Sequence, residues 1–264
     1  MAVTESYVHK DVIRKEQCTK GGLITMSALI KLLLVASKTH DRRLREEGVM
    51  DFVGENVWVI IQNHLSFIRL PQAGDEVSVK TWVKGFNRIL VERGYSLMSG
   101  NEVLVEATIC FGLINFQTRK IQRMKADLLR LCFPCAVEIR VKKPAFPPLP
   151  GLSEGKKMSY LVGEEQIDHN GHMNNVVYID WAFEQLGESF IKSHTLKNLK
   201  VVYRREYHLG DQSEVYTRKE GVETNDVTSQ HFFMAGEELH AYLALQWKKK
   251  KEGKNEEQVF VPCD

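Results

Sequence analysis

The chain repeats itself, and that repetition limits its fold more than any other feature. Phe67-x-Arg69, Gly74-Asp75 and Val79 reappear as Tyr203-x-Arg205, Gly210-Asp211 and Val215, each 136 residues later (203 minus 67). In the first half an apolar helical run from Leu23 to about Leu44 precedes four alternating segments, Val57–Leu70, Glu76–Val83, Ile89–Ser99 and Val103–Asn115. In the second, a run from Met173 to about Ile191 precedes Leu199–His208, Ser213–Lys219, Val227–Ala235 and Glu238–Trp247. One helix followed by four strands, twice, reads as internal duplication. The Gly-Asp pairs suit hairpin turns, because glycine accepts positive φ without steric cost.

Connections of hairpin length make the strands antiparallel. The first helix carries Leu23, Ile24, Met26, Leu29, Ile30, Leu32, Leu33, Leu34 and Val35, so it is apolar nearly all round and must be wrapped on most sides. An α+β architecture follows: a tandem double hotdog, each unit a long helix wrapped by a curved antiparallel β-sheet. Four of the seven prolines (Pro144, Pro147, Pro148 and Pro150) cluster in 138–157, with Gly151 and Gly155 beside them. This stretch reads as a linker between an N-terminal domain at 1–137 and a C-terminal domain at 158–264.

Composition narrows the class. A 264-residue chain that is 43% hydrophobic and 27% charged can bury one large or two modest cores. A net charge of +2 gives no argument for nucleic acid, and the lysine run Lys248–Lys251 reads as a solvated face. The stretch Leu23–Ala36 is interrupted by Lys31 and falls short of the roughly 20 apolar residues a membrane span needs. The start, MAVTESYVHKDVIRKEQ, has neither the h-region of a signal peptide nor transit character. Five scattered cysteines (Cys18, Cys110, Cys132, Cys135, Cys263) suit reduced thiols and a cytoplasmic setting. The lone Cys132-Phe-Pro-Cys135 lacks the partners that a redox or zinc site requires, so it reads as packing.

Polar chemistry concentrates between Gln166 and Glu184. Asp168, Asn170 and His172 alternate, which in extended backbone turns them to one side, and Gly171 argues against helix. This places the triplet on an extended loop feeding a helix that begins near Met173 or Asn174, where unused N–H groups and the positive dipole end suit an oxyanion. Asn174 and Asn175 brace that helix start, while Tyr178 and Trp181 read as core.

The string D-x-N-x-H-x-N-N-x-x-Y-x-x-W-x-x-E, filled by Asp168, Asn170, His172, Asn174, Asn175, Tyr178, Trp181 and Glu184, resembles the signature of the acyl-acyl-carrier-protein (acyl-ACP) thioesterases. Tyr203-Arg204-Arg205-Glu206 is similar to that family's Y-R-R-E, whose glutamate belongs to its proposed catalytic set. Trp58-Val-Ile, Pro71-x-x-Gly74-Asp75 and Thr81-Trp82 resemble its N-terminal domain, and the likeness runs over roughly residues 6–250. One departure is Tyr207, where plant members often carry a cysteine once proposed as nucleophile; a Cys–His mechanism has no cysteine there.

The resemblance implies release of a free fatty acid from acyl-ACP, as in fatty acid biosynthesis. It also implies no cofactor, no metal, and an acyl chain held largely by the first domain, with Met26, Leu29 and Leu33 as candidate lining. Asp168 and Glu206 become the acids, one activating water or attacking directly, with His172 and Asn170 orienting water or polarising the carbonyl. Aligning the repeats sets Thr19, Gly21 and Leu23 opposite Asp168, Asn170 and His172, and Leu70 opposite Glu206, so the first half lacks these groups. An acyl-CoA thioesterase and a non-catalytic lipid-binding hotdog protein are the alternatives; tandem architecture and Y-R-R-E favour the carrier-protein substrate. Basic candidates for docking acidic acyl carrier protein are Arg42, Arg43, Arg45, Arg119, Lys120, Arg123, Lys142 and Lys143. A tandem chain already satisfies internal pairing, so monomer and homodimer are both open, with no stable membrane insertion.

Overall fold

The computed structural model describes residues 5–50, 53–140, 146–149, 151, 155–168 and 170–250. Lys142, Lys143, Pro144, Pro150, Lys251 and Cys263 lie outside them. By its contacts the chain divides into two compact units. The first comprises 1–13, 29–69 and 74–143; the second comprises 14–28, 70–73 and 144–264.

In the first unit, β1 (Ser6–Val12) is followed by the 21-residue helix α1 (Met26–Glu46), which belongs to it from Leu29 onward, then β2 (Asn56–Phe67), β3 (Glu76–Phe86), β4 (Leu90–Ser99) and β5 (Glu102–Asn115). A short helix α2 (Ala126–Cys132) and the two-residue β6 (Val137–Glu138) complete it. The sheet order is β1-β3-β4-β5-β2, antiparallel throughout, with β6 added in parallel to the end of β3. Along β3, Val77, Val79, Thr81 and Val83 are buried while their neighbours are not, the period-two signature of a half-covered strand. Gly85 marks where β6 joins, since a Cβ there would meet the Val137 carbonyl oxygen at 2.8 Å. Helix α1 buries Leu29, Ile30, Leu32, Leu33, Ala36 and Leu44 but exposes Lys31, Lys38 and Arg42, so its apolar face is broad rather than complete. Leu44, Phe86, Leu113, Leu129 and Phe133 close the core under α2.

The second unit contains β7 (Lys156–Leu161), α3 (Val177–Leu186), α4 (Glu188–Ser193), β8 (His194–Tyr203), β9 (Gln212–Glu220), β10 (Asp226–Ala235) and β11 (Glu238–Lys249). Its sheet order is β8-β11-β10-β9-β7, again antiparallel. The structure corrects three expectations. Each sheet has an extra edge strand, β1 or β7; both are short and rich in charge, as edges that resist further pairing are, and neither has a strong apolar alternation. The single helix expected from Met173 to Ile191 starts later and breaks at Gly187, whose φ of +80° ends α3 and lets α4 leave in a new direction. Finally, β8 ends at Tyr203, leaving Arg204–His208 beyond the strand.

Backbone hydrogen bonds confirm the duplication almost bond for bond. Ile13 N donates to Asp75 O and Gly74 N to Ile13 O; Val162 N donates to Asp211 O and Gly210 N to Val162 O. The bridge Cys18–Ile24 matches Ile167–Met173. Thr19 N to Leu23 O and Ile24 N to Pro71 O match Asp168 N to His172 O and Met173 N to Tyr207 O. Thr19, Gly21, Leu23 and Leu70 are therefore the structural counterparts of Asp168, Asn170, His172 and Glu206.

Candidate active site

A 3-10 turn at Glu164–Gln166 leads into the polar loop, with Gln166 Oε1 accepting Gly163 N at 2.6 Å. Ile167 and Met173 then pair as a β-bridge, and Asp168 N donates to His172 O at 2.8 Å. Closing so short a loop requires one residue with positive φ, and Gly171 supplies it at +79° with open space around a notional Cβ. Its N–H bonds to Asp168 O at 3.0 Å. The triplet is thus a closed turn, not the extended segment that its alternation suggested.

The Asp168 carboxylate builds that turn. Oδ1 accepts Asn170 N at 2.8 Å and His172 N at 3.4 Å, while Oδ2 accepts Asn170 Nδ2 at 3.2 Å. Asn170 therefore folds back onto Asp168, because a short acidic side chain can satisfy the N–H two residues onward. An amide Nδ2 has two protons, and one remains for another acceptor.

Pairing at one neighbouring position brings in the second acid. Met173 N donates to Tyr207 O at 2.8 Å, so the residues flanking that contact lie side by side. His172 Nε2 lies 3.3 Å from Glu206 Oε2, with side chains 20% and 45% exposed. The His208 ring stands edge-on to His172, centroids 5.0 Å apart and planes at 68°. Between them, Tyr207 turns inward and is wholly buried. It stacks on His240 at 4.1 Å and accepts a hydrogen bond from Ser213 Oγ at 2.9 Å; burial pushes its phenol up to about 12. Burial beside Arg205 lowers the His240 imidazole below its ordinary value. Position 207 faces the interior while 206 and 208 flank His172, so the lost cysteine position is not the one that meets the imidazole.

Asn174 organises the helix start. Its Oδ1 accepts Val176 N at 3.3 Å and its carbonyl accepts Val177 N at 3.0 Å. Two backbone donors expected for an oxyanion are thereby already engaged. Tyr203 OH donates to Asn175 O, and Tyr178 and Trp181 are core, as their spacing suggested. Arg204 lies over the Phe146 ring and Arg205 pairs with Glu238.

The remaining sequence candidates make contacts of their own. Met26, Leu29 and Leu33 are buried to 3% exposure or less as part of the core. Arg42 pairs with Glu46, and Arg43 lies over the Tyr7 ring. Cys132 is buried, donating to Val49 O, whereas Cys135 is exposed and donates to Glu5. His208 and Tyr207 were missed as neighbours of the triplet, although both directly follow the quoted Y-R-R-E.

Residues 6–132 match the acyl-ACP thioesterase N-terminal domain family and residues 152–249 its C-terminal domain family. Among curated proteins the chain is 28% identical over 234 residues to oleoyl-acyl carrier protein thioesterase 2, chloroplastic, of Arabidopsis thaliana, covering 81% of this chain and 63% of that protein. It is 26% identical over 158 residues to the dodecanoyl-[acyl-carrier-protein] hydrolase, chloroplastic, of Umbellularia californica, covering 57% of this chain and 41% of that protein. The chain thus spans less than two thirds of the length of these relatives. In fold it is similar to the 12:0-ACP thioesterase from Umbellularia californica, with a TM-score of 0.76 at 19% identity over 93% of this chain and 94% of that one. A similar likeness holds to an acyl-ACP thioesterase from Bacteroides thetaiotaomicron, with a TM-score of 0.71 at 17% identity over 92% and 98% of the two chains. The tandem hotdog reading of the sequence is thereby borne out.

Proposed function

The chain belongs to the acyl-ACP thioesterase family, and on that premise we propose that it hydrolyses the thioester joining a fatty acyl chain to acyl carrier protein. The observation that carries this is the meeting of His172 and Glu206 at 3.3 Å beside the loop that Asp168 and Asn170 close. Acid, imidazole and a spare amide proton are what water-driven acyl transfer needs.

The geometry supports a division of labour. Glu206 with His172 takes a proton from water as its oxygen adds to the thioester carbonyl carbon. The oxyanion of the tetrahedral intermediate accepts a hydrogen bond from the second Nδ2 proton of Asn170 and is stabilised by the protonated imidazole. The C–S bond then breaks, its electron pair leaves on sulfur, and the proton held by the pair passes to the thiolate. Asp168 shapes the loop, since both its oxygens are engaged by loop donors; direct attack by its carboxylate is the competing mechanism. The first repeat, with Thr19, Gly21, Leu23 and Leu70 at the same positions, has no acid or imidazole for this chemistry.

The acyl chain is assigned to the N-terminal half (1–137), against the apolar face of α1 that carries Met26, Leu29 and Leu33. Exposed basic residues such as Arg42, Arg45, Arg119 and Lys120 would speed encounter with the acidic carrier. Among the described residues no helix is long and apolar enough to cross a membrane. Among the described residues Cys18, Cys110, Cys132 and Cys135 form no disulfide, which supports a cytoplasmic setting.

Purified protein given a panel of acyl-ACPs and acyl-CoAs, with thiol release followed for wild type, Glu206→Gln and His172→Ala, tests the reading. Release from acyl-ACP by wild type, lost in both variants, is expected. Absence of release from every substrate would end the hydrolase reading, and a strong preference for CoA would replace the carrier protein as partner.

A further inference from the structure

His208 belongs to no part of the motif, yet it is the second ring against His172. Its backbone is held by Asp211, while its side chain is 60% exposed. The backbone N–H donates to Asp211 Oδ2 at 2.7 Å, and Nδ1 lies 3.7 Å from the same oxygen. Asp211 is in turn fixed by the hairpin turn, donating its N–H to His208 O and accepting Val162 N. A series acid–imidazole–imidazole–acid results: Asp211, His208, His172, Glu206. In the first repeat the positions of Glu206 and His208 hold Leu70 and Gln72, although Asp75 stands where Asp211 does. The second imidazole therefore occurs in the half that carries the reactive groups.

We infer that His208 is a positioning residue for His172: tethered by Asp211, it braces the His172 ring edge-on and keeps Nε2 directed at Glu206. Its kinetic consequence rests on the hydrolase reading above; the ring contact itself rests on geometry alone. Glu206 and His208 from the segment after β8 face His172, and Asp211 and His172 face His208. Removing the His208 ring takes away the edge-on contact and lets the His172 ring turn away from Glu206.

The test uses the full chain. Ring-proton NMR, assigned with His172→Gln and His208→Gln, is expected to show a nuclear Overhauser contact between the two imidazoles in wild type. In the thiol-release assay His208→Ala is expected to lower kcat about threefold to tenfold with KM within about twofold, and His208→Phe, which keeps a ring edge, to recover most of it. Absence of the ring contact, or wild-type kinetics in His208→Ala of an active enzyme, would overturn the inference. The ring contact in a protein that hydrolyses nothing would uphold the inference and end the hydrolase reading instead.

Discussion

Substituting Asp168 separates a carboxylate that builds the loop from one that reacts. Two of its three contacts, at 2.8 and 3.2 Å, are well formed, and the third, at 3.4 Å, is long. A buried hydrogen bond to a charged group contributes roughly 1.5–3 kcal/mol; solvent access at this loop reduces each good one to about 0.5–1. Asp168→Ala should therefore cost about 1–2 kcal/mol and lower Tm by about 2–6 °C in a chain of this size. Asp168→Asn keeps an amide oxygen for the two backbone donors, and Asn170 can turn its own amide to meet the new one, so its cost should stay under about 1 kcal/mol. If Glu206 with His172 handles the proton, Glu206→Gln should lose about 10²–10⁴ in kcat, while Asp168→Asn loses only about tenfold. Thermal melts beside thiol release from acyl-ACP read both quantities on the same samples. An Asp168→Asn protein that melts like wild type yet is as inactive as Glu206→Gln would refute this division and make the Asp168 carboxylate the reacting group. An unchanged Tm for Asp168→Ala would refute the loop-building role.

Gly171 and Gly22 occupy equivalent turns at φ of +79° and +80°, both with room for a methyl group. Alanine at either should cost about 1–2 kcal/mol of backbone strain by urea unfolding, but only Gly171→Ala should also reduce turnover. Arg93, 4% exposed in the first unit, bonds both Asp41 and His40 Nδ1. Asp41→Ala leaves that guanidinium with one partner and should destabilise the protein by about 2–4 kcal/mol, read as a lower denaturant midpoint. His231, fully buried between Thr217 and Ser229, has its imidazole pushed down to about 3 by burial. Below the ordinary histidine range the unfolded chain takes up a proton that the folded one refuses, so stability falls as pH drops from about 6.5 toward 3, by up to about 1.4 kcal/mol per pH unit. His231→Gln should flatten that slope in urea titrations at pH 6 and pH 4.

Much of this could be read from residues alone. Apolar spacing from Leu23 to Leu44 and period-two alternation in segments such as Glu76–Val83 identify helix and strands, because a one-sided environment imposes its period on the side chains. Repeated Gly-Asp turns showed the duplication, and residue types at Asp168, Asn170, His172 and Glu206 marked the half proposed as reactive. Local spacing carries nothing about what lies across a gap in the chain. The closed turn at Asp168–His172 depends on the Ile167–Met173 bridge and on Gly171, and alternation alone suggested an extended strand instead. The approach of Glu206 and His208 to His172 depends on one backbone hydrogen bond, Met173 to Tyr207, between segments more than thirty residues apart (207 minus 173). Edge strands β1 and β7 escaped notice because pairing, rather than their own hydrophobicity, holds them. Sequence determined which groups are present and in which repeat; only the tertiary structure decided which of them touch, because contact between distant segments is set by backbone register and packing, which leave no period in the chain.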